Sequence, residues 1–380
     1  MNRLQALHDA GQSIWLDFID RSMLFDGDLE RRISDDSLTG MTSKPTIFEK
    51  ALAEGTEYDS QLAGAPAGRT PWELFEMIAT DDVRTACDHF ASVYEATNGH
   101  DGFVSIEVSP GAADDTEKTI SEAERLWKAV NRPNVMIKVP GTTAGAAAVR
   151  RLIAAGVNVN ITLLFSLDAH RAVIEAYQGG LEDRLARREP IDRIASVASF
   201  FVSRVDTEVD KRLGAAIANG PPEDASRLRS LKGTIAIANA KLAYALFRRR
   251  FSGERWEVLA RAGAQVQRPL WASTSTKNPE YRDVMYVEQL IGTDTVNTMT
   301  PATIDAFRDH GVVTLTAGDD LESARGAIAD LETVGISLQE VTDKLLLDGL
   351  ASFSKSFDSL LRGLEDKVRS LRGEMAGRAG

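Results

Sequence analysis

The sequence predicts an α/β protein of the (β/α)8, or TIM-barrel, class with additional helices in insertions and at the C-terminus. Short apolar or β-branched runs alternate with longer amphipathic stretches along the 380 residues, a pattern typical of strands followed by helices. This alternation implies parallel strands joined by right-handed crossovers, and eight such units close a barrel. An open doubly wound sheet is the alternative, but the chain lacks a G-x-G-x-x-G motif after its first strand and has no G-x-x-x-x-G-K-[ST] motif.

Each predicted strand is a short apolar or β-branched run. The eight runs lie at 13–18, 40–43, 102–108, 135–140, 157–164, 194–202, 268–273 and 294–299. The clearest helices between them have apolar residues at helical spacing and lie at 114–130, 143–155, 167–187, 203–218 and 233–251. The run GVVTLTA, residues 311–317, is a candidate for a further strand.

The remaining length is predicted to add helices to the barrel. Residues 49–101 and 216–267 are insertions of helical character, and residues 318–380 form terminal helices that could pack across a barrel end. No repeat, low-complexity tract or Pro-rich linker divides the chain. We therefore expect residues 1–380 to form a single domain, with 43% hydrophobic residues to supply its core.

Charge and composition favour small solutes as partners. The net charge is −12 and no basic tract offsets it, so neither nucleic acid nor an anionic membrane is expected to bind. Cys87 is the single cysteine, and no uncharged apolar stretch of about 18 residues occurs. We expect a cytoplasmic protein without membrane contact. Its five histidines lack metal-ligand spacing, so no metal is expected, and a homo-oligomer is neither required nor excluded.

A lysine interrupts the apolar run VMIKVP at 135–140. Alternation places Met136 and Lys138 on one face of the strand and Ile137 and Val139 on the other. In a barrel, an inward side chain near the carboxyl end of its strand reaches the active-site mouth. Desolvation lowers the pKa of an ammonium group, which leaves a neutral amine able to attack a carbonyl. A lysine guarding an edge strand, or one whose stem reaches along the surface to solvent, is the structural alternative.

Two carboxylates lie at the carboxyl ends of predicted strands. Asp17 terminates the first strand, and Glu107 shares a face of the third with Phe103 and Ser105. Imine formation needs proton transfers, and aldol cleavage needs a base for the departing hydroxyl, so one carboxylate can serve each step. Pairing with a surface lysine is the commoner fate of an acidic residue.

Polar residues also follow the later strands. Asn158, Asn160 and Thr162 alternate with apolar residues in the fifth strand, and in a barrel such a face needs a ligand or buried water. Arg204 follows the sixth strand and Lys277 the seventh. The loops after these strands are where barrel enzymes commonly bind phosphate.

The strand-end segments together resemble one known family, the transaldolases, and in particular their longer bacterial subtype. The segments that carry the resemblance, in chain order from residue 13 to about 302, are SIWLDFIDR, TSKPTIFEKAL, VSIEVSP, VMIKVPGT, VNVNITLLFS, SFFVSRVD and LWASTSTKNP. The resemblance implies an α/β barrel enzyme of the pentose phosphate pathway. Such enzymes carry a dihydroxyacetone unit from sedoheptulose 7-phosphate or fructose 6-phosphate to glyceraldehyde 3-phosphate or erythrose 4-phosphate, through a lysine Schiff base and without a cofactor.

The resemblance also implies roles for individual residues. Lys138 would form the imine, and Asp17 would take the C4 hydroxyl proton as C3–C4 breaks. Glu107 and Thr162 would hold the catalytic water. The residues implied to contact substrate are Asn160 and Ser199 for the dihydroxyacetone unit and Arg204, Ser275 and Lys277 for the phosphate.

Two positions bear on activity. The family motif T-S-N-P-T has Lys44 in place of its asparagine here, and alternation puts Lys44 on the face of Thr42, so a second ammonium is expected in the pocket. Related aldolases that release dihydroxyacetone have a tyrosine where this chain has Phe201, which cannot donate a proton. This favours transfer over release. A dihydroxyacetone-releasing aldolase and a non-catalytic sugar-phosphate binder are the alternatives.

Overall fold

The computed structural model describes residues 2–66 and 68–378. Within these ranges, eight parallel strands pair in chain order and form a closed barrel, with β1 bonded to both β2 and β8. The strands are β1 (Gln12–Leu16), β2 (Leu38–Thr42), β3 (Phe103–Glu107), β4 (Val135–Pro140), β5 (Val159–Leu164), β6 (Ser196–Phe201), β7 (Arg268–Ala272) and β8 (Thr295–Met299). The predicted barrel and all of its predicted strands are confirmed.

Helices surround the barrel and fill the predicted insertions. They are α1 (Arg3–Asp9), α2 (Asp28–Asp35), α3 (Pro45–Glu54), α4 (Asp59–Ala63), α5 (Pro71–His89), α6 (Ala91–Ala96), α7 (Thr116–Val130), α8 (Thr143–Ala155), α9 (Leu167–Ala186), α10 (Ser203–Asn219), α11 (Ala225–Leu231), α12 (Ile235–Arg250), α13 (Glu254–Arg261), α14 (Met285–Glu288), α15 (Pro301–His310), α16 (Leu321–Thr333) and α17 (Leu338–Arg378). Two 3₁₀ turns lie at Pro110–Ala112 and Pro222–Asp224. The segment 311–317 contains no strand. None of the helices in the described ranges is long and apolar enough to cross a membrane.

The barrel separates two apolar regions. Outward-facing strand residues such as Ile137 and Val139 join the large cluster beneath the helices, where each fully buried aliphatic side chain contributes about 1.5–3 kcal/mol. A smaller cluster fills the barrel interior, and its members include Trp15, Phe103, Met136, Val197, Leu270 and Val296. The period-two alternation predicted for β4 is thereby confirmed.

Local sequence explains how the chain turns from β4 into the next helix. Thr142 is the N-cap of α8, and its hydroxyl accepts a hydrogen bond from the Gly145 N–H at 3.0 Å. A Cβ atom at Gly145 would collide with the carbonyl oxygen of Pro140. The glycine therefore lets α8 start directly above the end of the strand that carries Lys138.

The long terminal helix α17 crosses the mouth of the barrel. It packs against α3, α4 and α5 of the first insertion, against α10, and against β5. The predicted packing of the terminal helices across a barrel end is confirmed for α17, at the carboxyl end of the strands, whereas α16 packs mainly against α12.

Candidate active site

A cavity opens at the carboxyl end of the barrel strands. Its outer part has a volume of about 230 Å³ and its inner part a volume of about 50 Å³. Both parts are lined by Lys44, Lys138, Thr162, Phe201 and Arg204. The outer part adds Glu107, Leu163, Gly349, Ser352, Phe353 and Ser356, and the inner part adds Asp17, Thr42, Ser199, Leu270, Ala272, Ser273 and Thr298.

Lys138 projects from β4 into this cavity. Its side chain is only 9% exposed, and its Nζ lies 3.5 Å from Glu107 Oε2. The two residues are brought together by strand register, because Glu107 of β3 is aligned with Lys138 of β4. Burial raises the pKa of Glu107 above its ordinary value, although the Lys138 ammonium acts in the opposite direction. The primary amine thus lies beside a carboxyl group whose affinity for a proton is increased by burial.

Asp17 follows β1 and experiences a different environment. Its Oδ1 accepts a hydrogen bond from Thr42 Oγ1 at 3.0 Å, and its Oδ2 is paired with the Lys44 ammonium. Burial alone would raise the pKa of Asp17, but the charge and hydrogen bond of Lys44, together with Lys138 and Thr42, outweigh it and lower the pKa below its ordinary value. Asp17 and Glu107 therefore have pKa values shifted in opposite directions, which separates the roles that two carboxyl groups can take.

Lys44 lies on the face that alternation predicts. Lys44 is the residue immediately before α3. Its side chain is partly exposed and reaches inward to pair with Asp17. A second ammonium therefore lines the cavity beside Lys138.

Asn158, immediately before β5, and Asn160, within it, have different surroundings. Asn158 is satisfied by backbone groups, donating to the carbonyl of Pro133 at 2.9 Å and accepting from the Ala195 N–H. Asn160 is fully buried: its Nδ2 donates to Ser105 Oγ at 3.0 Å, and its Oδ1 accepts from Ser199 Oγ at 2.7 Å. Ser199 lines the cavity, whereas Asn160 lies behind Ser199 and is not part of the lining. A substrate contact of Asn160 stays a prediction.

Thr162 lines both parts of the cavity at the end of β5 and is almost fully buried. The next residue, Leu163, has a φ of 59°, and the pairing of β5 with β6 becomes irregular between Ile161 and Leu164. A non-glycine residue in the left-handed region is uncommon, and irregular pairing of this kind often occurs next to active sites. The irregularity turns Leu163 toward the cavity.

The residues implied to bind phosphate are spread over the mouth. Arg204 lines the cavity, with its guanidinium carbon 5.1 Å from the centre of the Phe201 ring. Ser275 and Lys277 lie on the loop after β7, where Lys277 Nζ donates to Ser275 Oγ at 2.9 Å. Within the described residues the cavity lining does not include these two, so their contact with phosphate stays a prediction.

The residues of α17 that form one wall of the cavity were not predicted from the sequence. Gly349, Ser352, Phe353 and Ser356 line the cavity, yet they lie far beyond the strand-end segments. Their spacing of three and four residues places them on one helix face. A glycine within a long helical pattern was the available signal, because such a residue usually has a packing or functional reason.

The fold and the site together define a class of protein. The cavity of this α/β barrel holds a buried primary amine and two carboxyl groups whose pKa values are shifted in opposite directions. Imine-forming aldol chemistry requires such a nucleophile and such acid–base groups. The position at the carboxyl end of the strands is the one that barrel enzymes use for catalysis.

Comparison with known proteins identifies the family. The family profile described as Transaldolase/Fructose-6-phosphate aldolase matches residues 14–364, so the chain belongs to this family. A protein named Transaldolase from Thermobifida fusca is 49% identical over 363 residues, which cover 94% of this chain and 96% of that protein. Transaldolase 2 from Nostoc sp. is 46% identical over 98% of this chain and 99% of its own length. Transaldolase from Trichodesmium erythraeum is 45% identical over 97% and 98% respectively. The resemblance seen in the strand-end segments is confirmed.

Proposed function

We propose that the chain is a transaldolase that transfers a dihydroxyacetone unit from a ketose phosphate to an aldose phosphate through a Schiff base on Lys138. Sedoheptulose 7-phosphate or fructose 6-phosphate is the donor, and glyceraldehyde 3-phosphate or erythrose 4-phosphate is the acceptor, as in the pentose phosphate pathway. One barrel domain carries this activity, and its location is the cytoplasm.

The observation that carries the proposal is the position of the Lys138 amine. It lies in a closed part of the barrel, 3.5 Å from Glu107 and in the same cavity as Asp17. Burial of a lysine is not sufficient by itself, because Lys241 on α12 is buried to a similar degree outside the barrel. What distinguishes Lys138 is a cavity large enough for substrate together with carboxyl groups that can move protons.

The reaction begins when the neutral Lys138 amine attacks C2 of the donor. Loss of water from the carbinolamine gives a protonated imine, and the proton transfers pass through a water held by Glu107 and Thr162. Asp17 then accepts the proton of the C4 hydroxyl, the C3–C4 bond breaks, and its electron pair moves into the imine. An aldose phosphate leaves, and a three-carbon enamine stays bound to Lys138.

The second half-reaction reverses these steps with a new aldose phosphate. The enamine carbon attacks the acceptor aldehyde, the new alkoxide takes the proton from Asp17, and water hydrolyses the imine. Asn160 and Ser199 orient the dihydroxyacetone unit, and Arg204, Ser275 and Lys277 hold the phosphate. No metal or organic cofactor takes part, because the protonated imine accepts the electron pair.

Lys44 adds a feature that the family motif lacks. Its ammonium keeps Asp17 ionised and fixes one carboxylate oxygen, so Asp17 is a preorganised but weaker base in the free enzyme. Substrate hydroxyls must compete with Lys44 for this carboxylate.

The related aldolase reaction is the second candidate. Release of dihydroxyacetone requires protonation of the enamine, and a phenolic hydroxyl on β6 would supply the proton. Phe201 occupies that position and its ring lines both parts of the cavity, which favours transfer.

Borohydride trapping tests the proposal. Incubation with fructose 6-phosphate and borohydride should place a donor-dependent adduct on Lys138, and peptide mapping should find none on Lys241. Lys138→Met should abolish the adduct and lower transfer by at least about 10⁴-fold, whereas Lys118→Met, at an exposed lysine, should leave both intact.

Product analysis separates the candidate functions. Fructose 6-phosphate with erythrose 4-phosphate should give sedoheptulose 7-phosphate, and fructose 6-phosphate alone should not give multiple turnovers of dihydroxyacetone. Rapid release without acceptor would favour the aldolase, and absence of any adduct would favour a non-catalytic binder.

A further inference from the structure

The outer wall of the active-site cavity comes from a helix rather than from a barrel strand. Ser352, Phe353 and Ser356 of α17 line the cavity together with Gly349. Opposite them lie Lys138 and Glu107 from the barrel. A substrate bound to Lys138 would therefore extend toward α17.

Gly349 lets the helix approach the barrel closely. A Cβ atom at this position would lie 3.0 Å from Leu163 Cδ2 and 3.8 Å from Arg204 Nη1. Glycine within a helix costs about 1 kcal/mol relative to alanine, so its presence here reflects the need for this approach. The serines on the same face are thereby held at the cavity.

Both ends of α17 are fastened to other elements, so this position is defined. Toward its start, Lys344 Nζ lies 3.6 Å from Glu208 of α10. Further along, the Phe357 ring packs 5.1 Å from Trp72 and 5.4 Å from Phe75 of α5. Lys367 forms an ion pair of 2.8 Å with Asp59.

Hydroxyl groups from α17 and β5 lie around the outer part of the cavity. Among the residues that the structure describes, Ser352, Ser356 and Thr162 form no side-chain hydrogen bond, whereas Ser359 of the same helix donates to Glu49 at 2.5 Å. Thr162 is 1% exposed. Ser352 is exposed and Ser356 is partly exposed, so both hydroxyl groups can donate to a ligand in the cavity. The outer part of the cavity therefore offers hydroxyl donors to a polar group.

The charge at this wall favours an anion. Arg204 forms no ion pair among the described residues, and the residues that α17 contributes to the lining carry no carboxylate, whereas Glu107 lies on the barrel side of the same part of the cavity. A guanidinium group with nearby hydroxyl donors is suited to phosphate.

We propose that Ser352 and Ser356 of α17, together with Arg204, bind the phosphate group of the sugar phosphate. The inference rests on the proposed function, and it adds the two serines to the phosphate contacts named above. Phe353 supplies the apolar side of the same wall. The terminal helix therefore selects phosphorylated substrates.

The substrate concentration that gives half-maximal borohydride trapping measures binding of the phosphate. This assay needs one substrate and no acceptor. We compare fructose 6-phosphate with dihydroxyacetone, which forms the same kind of imine but has no phosphate. Ser352→Ala and Ser356→Ala should each raise the half-saturating concentration of fructose 6-phosphate about 5- to 20-fold, since a hydrogen bond to a charged group is lost. The value for dihydroxyacetone should stay the same, and the inhibition constant of inorganic phosphate should rise in parallel.

Ser354→Ala is the matched control, because Ser354 lies on the same helix and is exposed like Ser352 but does not line the cavity. It should change neither value. The inference is wrong if the two alanine variants leave fructose 6-phosphate unaffected, or if they shift both compounds equally, which would indicate a general disturbance of α17. Absence of any adduct in the unaltered protein would instead refute the Schiff-base function itself.

Discussion

The two ends of the barrel interior bury charged side chains in different ways. At the amino end, Arg268 and Asp101 lie 3.4 Å apart, and each side chain is 4% exposed. Arg268 also donates to Ser13 Oγ at 2.6 Å and to the carbonyl of His100 at 2.9 Å. Asp101 accepts from Ser13 and from Trp15 Nε1. This network is satisfied from several sides by protein groups.

At the carboxyl end, the buried groups face a cavity. Lys138 has one long contact to Glu107, and within the described residues Thr162 has no side-chain partner. Burial raises the pKa of Glu107. These groups are therefore accessible to a substrate in the cavity.

The comparison shows that burial of charge does not by itself indicate function. Buried charged residues are structural where other protein groups satisfy all their hydrogen bonds. They are suited to catalysis where they face a cavity that a substrate can enter. Three predictions use this difference.

Isosteric removal of one charge from each end should have unequal effects on stability. Asp101→Asn leaves Arg268 buried without its counter-ion and should lower the free energy of unfolding by about 3–5 kcal/mol. Glu107→Gln should change it by less than about 1 kcal/mol, because burial already disfavours that charge. Urea denaturation measures both values, and equal losses at the two ends would contradict the comparison.

Another buried carboxyl group, that of Asp206, accepts hydrogen bonds from neutral donors and should make stability depend on pH. Asp206 accepts from the Ala236 N–H at 2.7 Å and from the Tyr286 hydroxyl at 2.9 Å, and burial raises its pKa to about 7. The folded state therefore holds a proton that the unfolded state releases from about pH 4 upward. This contribution should lower the free energy of unfolding by roughly 2–4 kcal/mol as pH rises from 4 to 7.

Asp206→Asn provides the comparison for this effect. The amide cannot ionise, so the variant should lose this part of the pH dependence and gain stability relative to the parent as pH rises. Urea denaturation at several pH values measures it. A constant difference between the two proteins over this range would contradict the assignment to Asp206.

Lys44→Asn should shift the pH profile of catalysis with little effect on folding. Without the ammonium, the pKa of Asp17 rises, so the acidic limb of kcat/KM should move to higher pH. Lys118→Asn removes a cation from an exposed position that does not line the cavity, and should leave that limb in place. Equal movement in both variants would indicate a general electrostatic effect rather than the Lys44–Asp17 pair.

Much of the site was predictable because it depends on strand position. Period-two alternation placed Lys138, Glu107 and Thr162 on inward faces, and parallel strands bring their carboxyl ends to one mouth. The same rule could not separate Asn158, satisfied by backbone groups, from Thr162, which faces the cavity. Their different surroundings depend on neighbouring strands and on the irregular pairing at Leu163.

The contacts of α17 were beyond prediction for a different reason. Their partners, such as Phe357 with Trp72, are separated by hundreds of residues, and helical periodicity reports only which face is apolar. It does not report which surface covers that face.

The sequence alone determined the barrel, its inward lysine and the carboxylates at the strand ends, because each follows from local periodicity and from the closure of parallel βα units. Only the tertiary structure decided that Lys44 pairs with Asp17, that Asn160 lies behind Ser199, and that α17 closes the cavity. These features depend on distances between segments far apart in the chain, and on which buried polar groups find partners there.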